Sequence, residues 1–91
     1  MDNISKISEL FKAFADPTRV RIILALDKGE LNVSQIVEQV DASQTAVSHQ
    51  LRVLKQAHLV KFRRDGKNII YSLADNHIKS ILDCAIEHIE E

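Results

Sequence analysis

The stretch DNHIKSILDCAIEHIEE, residues 75–91, begins with an Asp-x-His pair and ends with a His-x-x-Glu pair. Asp75, His77, His88 and Glu91 carry carboxylate or imidazole groups, which bind divalent metal ions. The aliphatic residues between them follow helical spacing and predict a helix over about 76–90. His77 and His88 lie eleven residues apart. That is about 16 Å along a helix, whereas a zinc–nitrogen bond measures about 2.0–2.1 Å, so one copy of the helix cannot bring both pairs to one ion.

Two antiparallel copies of this helix would close such a site. At about 100° per residue, His77, His88 and Glu91 fall on one edge of the aliphatic stripe. If residue 77 of one helix lies beside residue 88 of the other, Asp75 and His77 of one chain meet His88 and Glu91 of its partner. Two nitrogens and two oxygens suit Zn(II) and also Co(II). The alternative interpretation of these four residues is a solvated helix edge that binds no metal. In the antiparallel pair Cys84 would lie a full turn from either ligand pair, so it is interpreted as a packed, reduced thiol.

A second set of side chains points to a different ligand. Helical spacing predicts helices over about 33–40 and about 44–57, and the short DAS connection between them is typical of a helix-turn-helix. The residues outside the apolar stripe of the second helix are Gln44, Thr45, Ser48, His49, Arg52 and Lys55. Short hydrogen-bonding groups near the start of such a helix reach base edges in the DNA major groove, while cations meet phosphates. An exposed helix without a ligand, or a protein-docking module, has the same spacing.

The chain after this helix changes to the two-residue period of strands. LVKFRR and NIIYSL are rich in β-formers and are joined by Asp-Gly-Lys, which predicts a hairpin. Arg63, Arg64 and Lys67 on this hairpin are predicted to contact the phosphate backbone or a minor groove. Residues 44–73 hold six Lys and Arg side chains against Asp65 alone, so this segment is basic although the net charge is −1.

The remaining patterns predict the rest of the fold. Apolar residues from Ile4 to Phe14 indicate a first helix, and Asp16 with Pro17 starts a second helix over about 17–27. The predicted fold class is mostly α with a small β-hairpin wing, a winged helix-turn-helix in a single domain spanning residues 1–91.

Composition limits the class of protein. The 91 residues are 45% hydrophobic and 27% charged, the balance of a globular chain. No apolar run reaches the roughly 18 residues of a membrane span, and the first residues lack a secretion-signal pattern, so a cytoplasmic protein is expected. One cysteine excludes an internal disulfide. No phosphate-binding glycine loop or nucleophile–base pair is present, so neither an enzyme nor a small-molecule substrate is expected.

Two segments, FKAFADPTRVRIILAL and ASQTAVSHQLRVLKQAHLVKFRRDGKNIIYSL, resemble the ArsR/SmtB family of metal-responsive winged-helix repressors. VSHQLRVLKQAHLV is the most specific part. The resemblance implies a homodimer, formed through the first and last helices, that binds an inverted-repeat operator in double-stranded DNA and releases it on binding metal. An ArsR-type regulator without metal control, and a docking module without DNA contacts, are the alternative functions.

The resemblance also bears on the metal site. The Asp-x-His and His-x-x-Glu pairs are similar to the C-terminal-helix site of the family's zinc sensors, and all four positions match. The family's other common site uses Cys-x-Cys at the start of the third helix, where this chain has Asn32 and Ser34, so that site is not expected. His58 occupies a position whose main chain, in similar zinc sensors, accepts a hydrogen bond from the equivalent of His88. Such a contact orients a metal ligand and would link it to the DNA-reading helix.

Overall fold

Five helices and a three-stranded antiparallel sheet make up the computed structural model, which describes residues 2–91. In chain order they are α1 (Asn3–Ala13), α2 (Pro17–Asp27), β1 (Leu31–Asn32), α3 (Val33–Val40), α4 (Gln44–Gln56), β2 (Val60–Asp65), β3 (Asn68–Leu73) and α5 (Asn76–Glu90). The predicted winged helix-turn-helix is confirmed, and the bounds of α2, α3 and α5 agree with those expected. No helix in the described part of the chain has the length and apolarity needed to cross a membrane.

Side-chain caps explain where these helices begin. Asp16 accepts a hydrogen bond from the main-chain N–H of Arg19, and Pro17 occupies the first turn of α2. Asn32 and Gln35 form a reciprocal capping box at the start of α3. Ser43 caps α4 by accepting a hydrogen bond from the main-chain N–H of Ala46. Each cap satisfies main-chain donors that lack a partner within the helix, so the local sequence alone determines these starting points.

The sheet contains one strand that the sequence did not predict. β2 and β3 form the expected hairpin, from Val60 opposite Leu73 to Asp65 opposite Asn68. Gly66 has a φ of 63° in the turn, which glycine adopts without steric cost. β1 then pairs with the other edge of β3, giving the order β1-β3-β2. β1 has only two residues, too few for an alternating pattern, so only its pairing with β3 reveals it.

The hydrophobic core lies among α2, α3, α4 and the base of the hairpin. Its fully buried side chains are Ile22, Ile23, Ile36, Val47, Leu51, Leu54 and Leu59. α5 contributes Ile78 and Leu82 from its first half, and α1 contributes Ala13 from its last turn. The two terminal helices are therefore attached to the core at one end each.

The other ends of α1 and α5 keep their apolar side chains in solvent. Ile4 is 77% exposed and Ile89 is 78% exposed, and Ile7, Phe11 and Ile86 are also exposed. Along the aliphatic stripe of α5, Ile78 and Leu82 in the first half of the helix are buried in the core, whereas Ala85, Ile86 and Ile89 in the second half are exposed. A single chain thus leaves apolar side chains on two helical faces exposed to solvent.

α4 ends in a Schellman motif built on a residue that is unusual there. The main-chain N–H of Leu59 donates to the carbonyl of Leu54, and that of His58 donates to the carbonyl of Lys55. His58 has a φ of 61°, in the left-handed region where glycine or asparagine is the common choice. A non-glycine residue there carries a steric cost of about 1–2 kcal/mol.

We expect His58→Gly to raise the free energy of unfolding by about 0.5–1 kcal/mol, because glycine removes this steric cost but also increases the freedom of the unfolded chain. Urea denaturation at one fixed protein concentration measures the change. The matched control is Ala57→Gly at the preceding position, whose φ of −84° suits any residue; it should lower stability. Equal effects of the two substitutions would show that His58 is not strained.

Candidate nucleic-acid interface and metal-ligand pairs

α4 divides its residues between two faces. Val47, Leu51 and Leu54 are buried in the core. Five of the predicted DNA-binding residues are exposed and line one shallow depression on the opposite side: Gln44, Thr45, Ser48, His49 and Arg52. The helix thus presents hydrogen-bonding groups and a cation together, outward from the protein, as a helix placed in a major groove requires.

Lys55, the sixth predicted residue on α4, contacts the hairpin. Its Nζ lies 4.2 Å from the centroid of the Phe62 ring, a cation–π contact. Phe62 in turn lies 6.0 Å from the ring of Tyr71 on the neighbouring strand. Lys55 therefore connects the end of α4 to the base of the hairpin in addition to supplying charge. Phe62 was not among the predicted functional residues.

Arg63 on β2 is paired with an acidic residue outside the hairpin. Its Nη2 and Nε donate to the two carboxylate oxygens of Glu30, at 2.6 and 3.3 Å. The hydrogen bond from Arg63 holds the pKa of Glu30 below its ordinary value, and Glu30 raises the pKa of Arg63. Glu30 directly precedes β1. No local pattern predicts this pair, because Arg63 and Glu30 are 33 positions apart and are brought together by the pairing of β1 with the sheet.

The two candidate metal-ligand pairs are intact and solvent-exposed. Asp75 caps α5, and its Oδ1 accepts a hydrogen bond from the main-chain N–H of His77 and lies 3.3 Å from His77 Nδ1. At the other end, His88 Nδ1 lies 3.9 Å from Glu91 Oε2. Within each pair the imidazole and the carboxylate are thus close together. Exposure leaves both pairs accessible to an ion or to another chain.

Neither pair gains a further ligand from its own chain. Among residues 2–91 there is no group of three or more His, Cys, Asp or Glu side chains that could hold an ion. Cys84 is exposed in the single chain. Its predicted packing depends on a second copy of α5 and therefore stays a prediction. No hydrogen bond in the described region joins His88 to His58, so that link remains a prediction.

Comparison with known proteins decides the family. Residues 16–61 match the model for the bacterial regulatory protein, arsR family. The chain belongs to the arsR family. The transcriptional repressor SmtB homolog of Synechocystis is 43% identical over 91 residues, covering all of this chain and 69% of that protein. The cadmium resistance transcriptional regulatory protein CadC homolog of Staphylococcus aureus is 38% identical over 90 residues, covering 98% of this chain and 74% of that protein.

A solved structure supports the same assignment. The homodimeric winged helix-turn-helix DNA-binding domain of a possible ArsR-family regulator from Mycobacterium bovis superposes with a TM-score of 0.87. It is 28% identical, and the match covers 96% of this chain and 84% of that one. The predicted family is confirmed, and the chain is a DNA-binding transcriptional regulator rather than an enzyme. The roles of individual residues in this arsR-family chain remain predictions.

The pairing of Arg63 with Glu30 predicts a measurable effect on DNA binding. In Glu30→Gln, Arg63 loses its carboxylate partner and becomes free to contact a phosphate. We expect tighter binding to random-sequence duplex DNA, and a plot of log affinity against log salt that is steeper by about 0.9 per added phosphate contact. Fluorescence anisotropy over a salt series measures both.

Glu9→Gln provides the matched control, because Glu9 is also an exposed carboxylate beside a cation, Lys12, but lies on α1. Adding Arg63→Ala to Glu30→Gln should return the slope to the parent value. If Glu30→Gln leaves both affinity and slope unchanged, the pairing with Glu30 does not restrain Arg63 from contacting DNA.

Proposed function

We propose that this protein is a zinc-responsive transcriptional repressor that binds an operator as a homodimer and releases it on binding metal. The observation that carries the proposal is the arrangement of α5. Two ligand pairs stand at opposite ends of this helix, and its second half exposes an apolar face. A second copy of the helix supplies what each feature lacks.

The dimer is supported by the exposed faces of α1 and α5. Ile4, Ile7 and Phe11 repeat at helical spacing on α1, and Ile86 and Ile89 do so on α5. Burying an aliphatic or aromatic side chain of this size contributes about 1.5–3 kcal/mol, so covering five of them would stabilise an association of two chains. The M. bovis neighbour is described as homodimeric.

A two-fold dimer also suits the α4 surface. Two copies of α4 would enter successive major grooves when their half-sites lie about 34 Å apart, one turn of DNA. The six predicted α4 residues would contact bases and phosphates there, while Arg63, Arg64 and Lys67 would contact the flanking backbone. We propose that the protein is cytoplasmic, because the operator DNA that it would bind lies in that compartment.

The chemistry of the donors supports zinc. In the proposed site, Asp75 and His77 of one chain and His88 and Glu91 of the partner subunit would hold the ion, and the two-fold axis would generate a second site. Two nitrogen and two oxygen donors match the four-coordinate preference of Zn(II), and Co(II) accepts the same set. The S. aureus relative is named for cadmium resistance. Neither pair here contains a thiolate, the donor that favours softer metals.

Control of DNA binding requires only that metal favours one dimer geometry over another. A difference of about 1–3 kcal/mol is typical of such coupling. We propose that bound zinc fixes His88 so that its other ring nitrogen donates to the main chain of His58. Because His58 ends the Schellman motif of α4, this contact would bias the position of the reading helix.

Ile89→Asp should convert the dimer to monomer, because a carboxylate placed within an apolar interface loses its hydration without gaining a partner. Sedimentation equilibrium measures the change in mass. Leu24→Asp serves as the control, since Leu24 is an exposed hydrophobic residue on α2, outside the proposed interface. If Ile89→Asp remains dimeric, α5 does not form the interface.

His88→Ala should abolish zinc binding, measured by competition with a chelating dye in the absence of DNA, and zinc should no longer lower its affinity for operator DNA. His49→Ala is the matched control: it removes an exposed histidine from α4 and should retain zinc binding. If zinc does not change the affinity of the parent protein for DNA, the protein is a metal-independent regulator. No binding to DNA under either condition would favour a docking module.

Subunit mixing tests whether two chains build each metal site. His77→Ala and His88→Ala homodimers should each fail to bind zinc. After equimolar mixing and exchange, half of the dimers are heterodimers, and each has one intact site because its unaltered His77 and His88 face each other across the interface. Zinc capacity should therefore recover to about a quarter of the parent value. Absence of recovery after confirmed exchange would exclude the shared site.

A further inference from the structure

Arg19 on α2 joins three parts of the molecule through one guanidinium group. Its Nε donates to the carbonyl of Ala13 at 2.9 Å, and its Nη2 donates to the carbonyl of Lys12 at 3.1 Å. Its Nη1 donates to Oε1 of Gln50 at 2.9 Å. Arg19 thus binds the C-terminal carbonyls of α1 and a side chain of α4 at the same time. The charge also suits the negative end of the α1 dipole.

These contacts matter because α1 has little other attachment to the body of the protein. Its apolar contacts with the core come from Ala13 and, in part, from Leu10 and the adjoining Phe14. The rest of its apolar face, Ile4, Ile7 and Phe11, is exposed. The orientation of that face is therefore determined at the last turn of α1, where Arg19 binds.

Gln50 connects Arg19 to the DNA-reading helix α4, so the orientation of α1 can affect the position of α4. It lies within α4, immediately after His49 and two residues before Arg52, both of which belong to the exposed surface of that helix. Gln50 itself is half-buried and faces Arg19. A shift of the Arg19 guanidinium would thus displace a hydrogen bond at the middle of α4, a helix that fully buried residues also hold in the core.

We propose that Arg19 is a positioning residue that fixes the angle between the dimer-forming helix α1 and the DNA-reading helix α4, and so sets the spacing of the two reading helices in the dimer. This inference rests on the proposed homodimer and its two-part operator. Arginine is suited to the role because its planar group offers five donors in a fixed arrangement. Lysine keeps the charge but has one nitrogen, which cannot hold three acceptors on two helices in this geometry.

The test compares whole and half operators. One duplex is selected from a random library by binding to the parent protein, and a second has one half of its inverted repeat replaced. In Arg19→Lys we expect affinity for the whole operator to fall about 10-fold, within the usual range of coupling between sites, while affinity for the half operator changes by less than about 2-fold. Arg21→Lys is the matched control, since Arg21 is exposed on the same helix, and it should match the parent on both duplexes.

Gln50→Ala provides a second variant that removes only the contact with α4. It should reproduce the selective loss on the whole operator, and the double variant should be no worse than Arg19→Lys alone, because both changes break the same link. Sedimentation equilibrium should show that all variants remain dimeric.

Two results would overturn the inference. Equal loss on whole and half operators would mean that Arg19 supports α4 only as part of the fold, and no loss on either would mean that the link is unused. If the parent selects no two-part operator, the proposed function fails instead, so the two failures are distinguishable.

Discussion

A rigid helix separates the candidate metal ligands of this protein, and most of its proposed behaviour depends on that separation. The pairs at Asp75–His77 and His88–Glu91 stand at opposite ends of α5, too far apart for one ion. The same helix packs its first half on the core through Ile78 and Leu82 and exposes its second half. Because the ligands and the apolar face need the same second helix, metal binding and dimer geometry would be parts of one equilibrium.

The DNA-reading helix α4 also has two faces with different roles, one buried in the core and one exposed to solvent. α4 is held from inside by fully buried aliphatic side chains, so its outer face can be polar without loss of stability. Its last predicted cation, Lys55, contacts Phe62, and Arg63 on the hairpin contacts Glu30. The basic segment is therefore not uniformly available to phosphates: part of its charge also positions the hairpin against α4 and β1.

Besides the Lys55–Phe62 contact, two connections attach α4 to the elements around it. Arg19 joins its middle to the last turn of α1 through Gln50. At its C-terminal end, the Schellman motif on His58 leads directly into the hairpin. α1 and α5 are the helices proposed to form the dimer, so these two connections lie between the surface that would respond to metal and α4, which would contact DNA. A small displacement of either connection can change the spacing of two reading helices without altering the core.

The sequence by itself determined what depends on neighbouring residues. Caps at Asp16, Asn32 and Ser43 set the starts of three helices, and the periodic apolar residues predicted which face of α4 is buried. The arsR-family motif and the residue types of the candidate metal ligands could also be identified from the sequence alone. The tertiary structure decided what depends on distant residues: strand β1, the Glu30–Arg63 pair and the Arg19–Gln50 contact. Each joins residues more than thirty positions apart, and a two-residue strand or a single polar side chain carries no periodic signal of its partner.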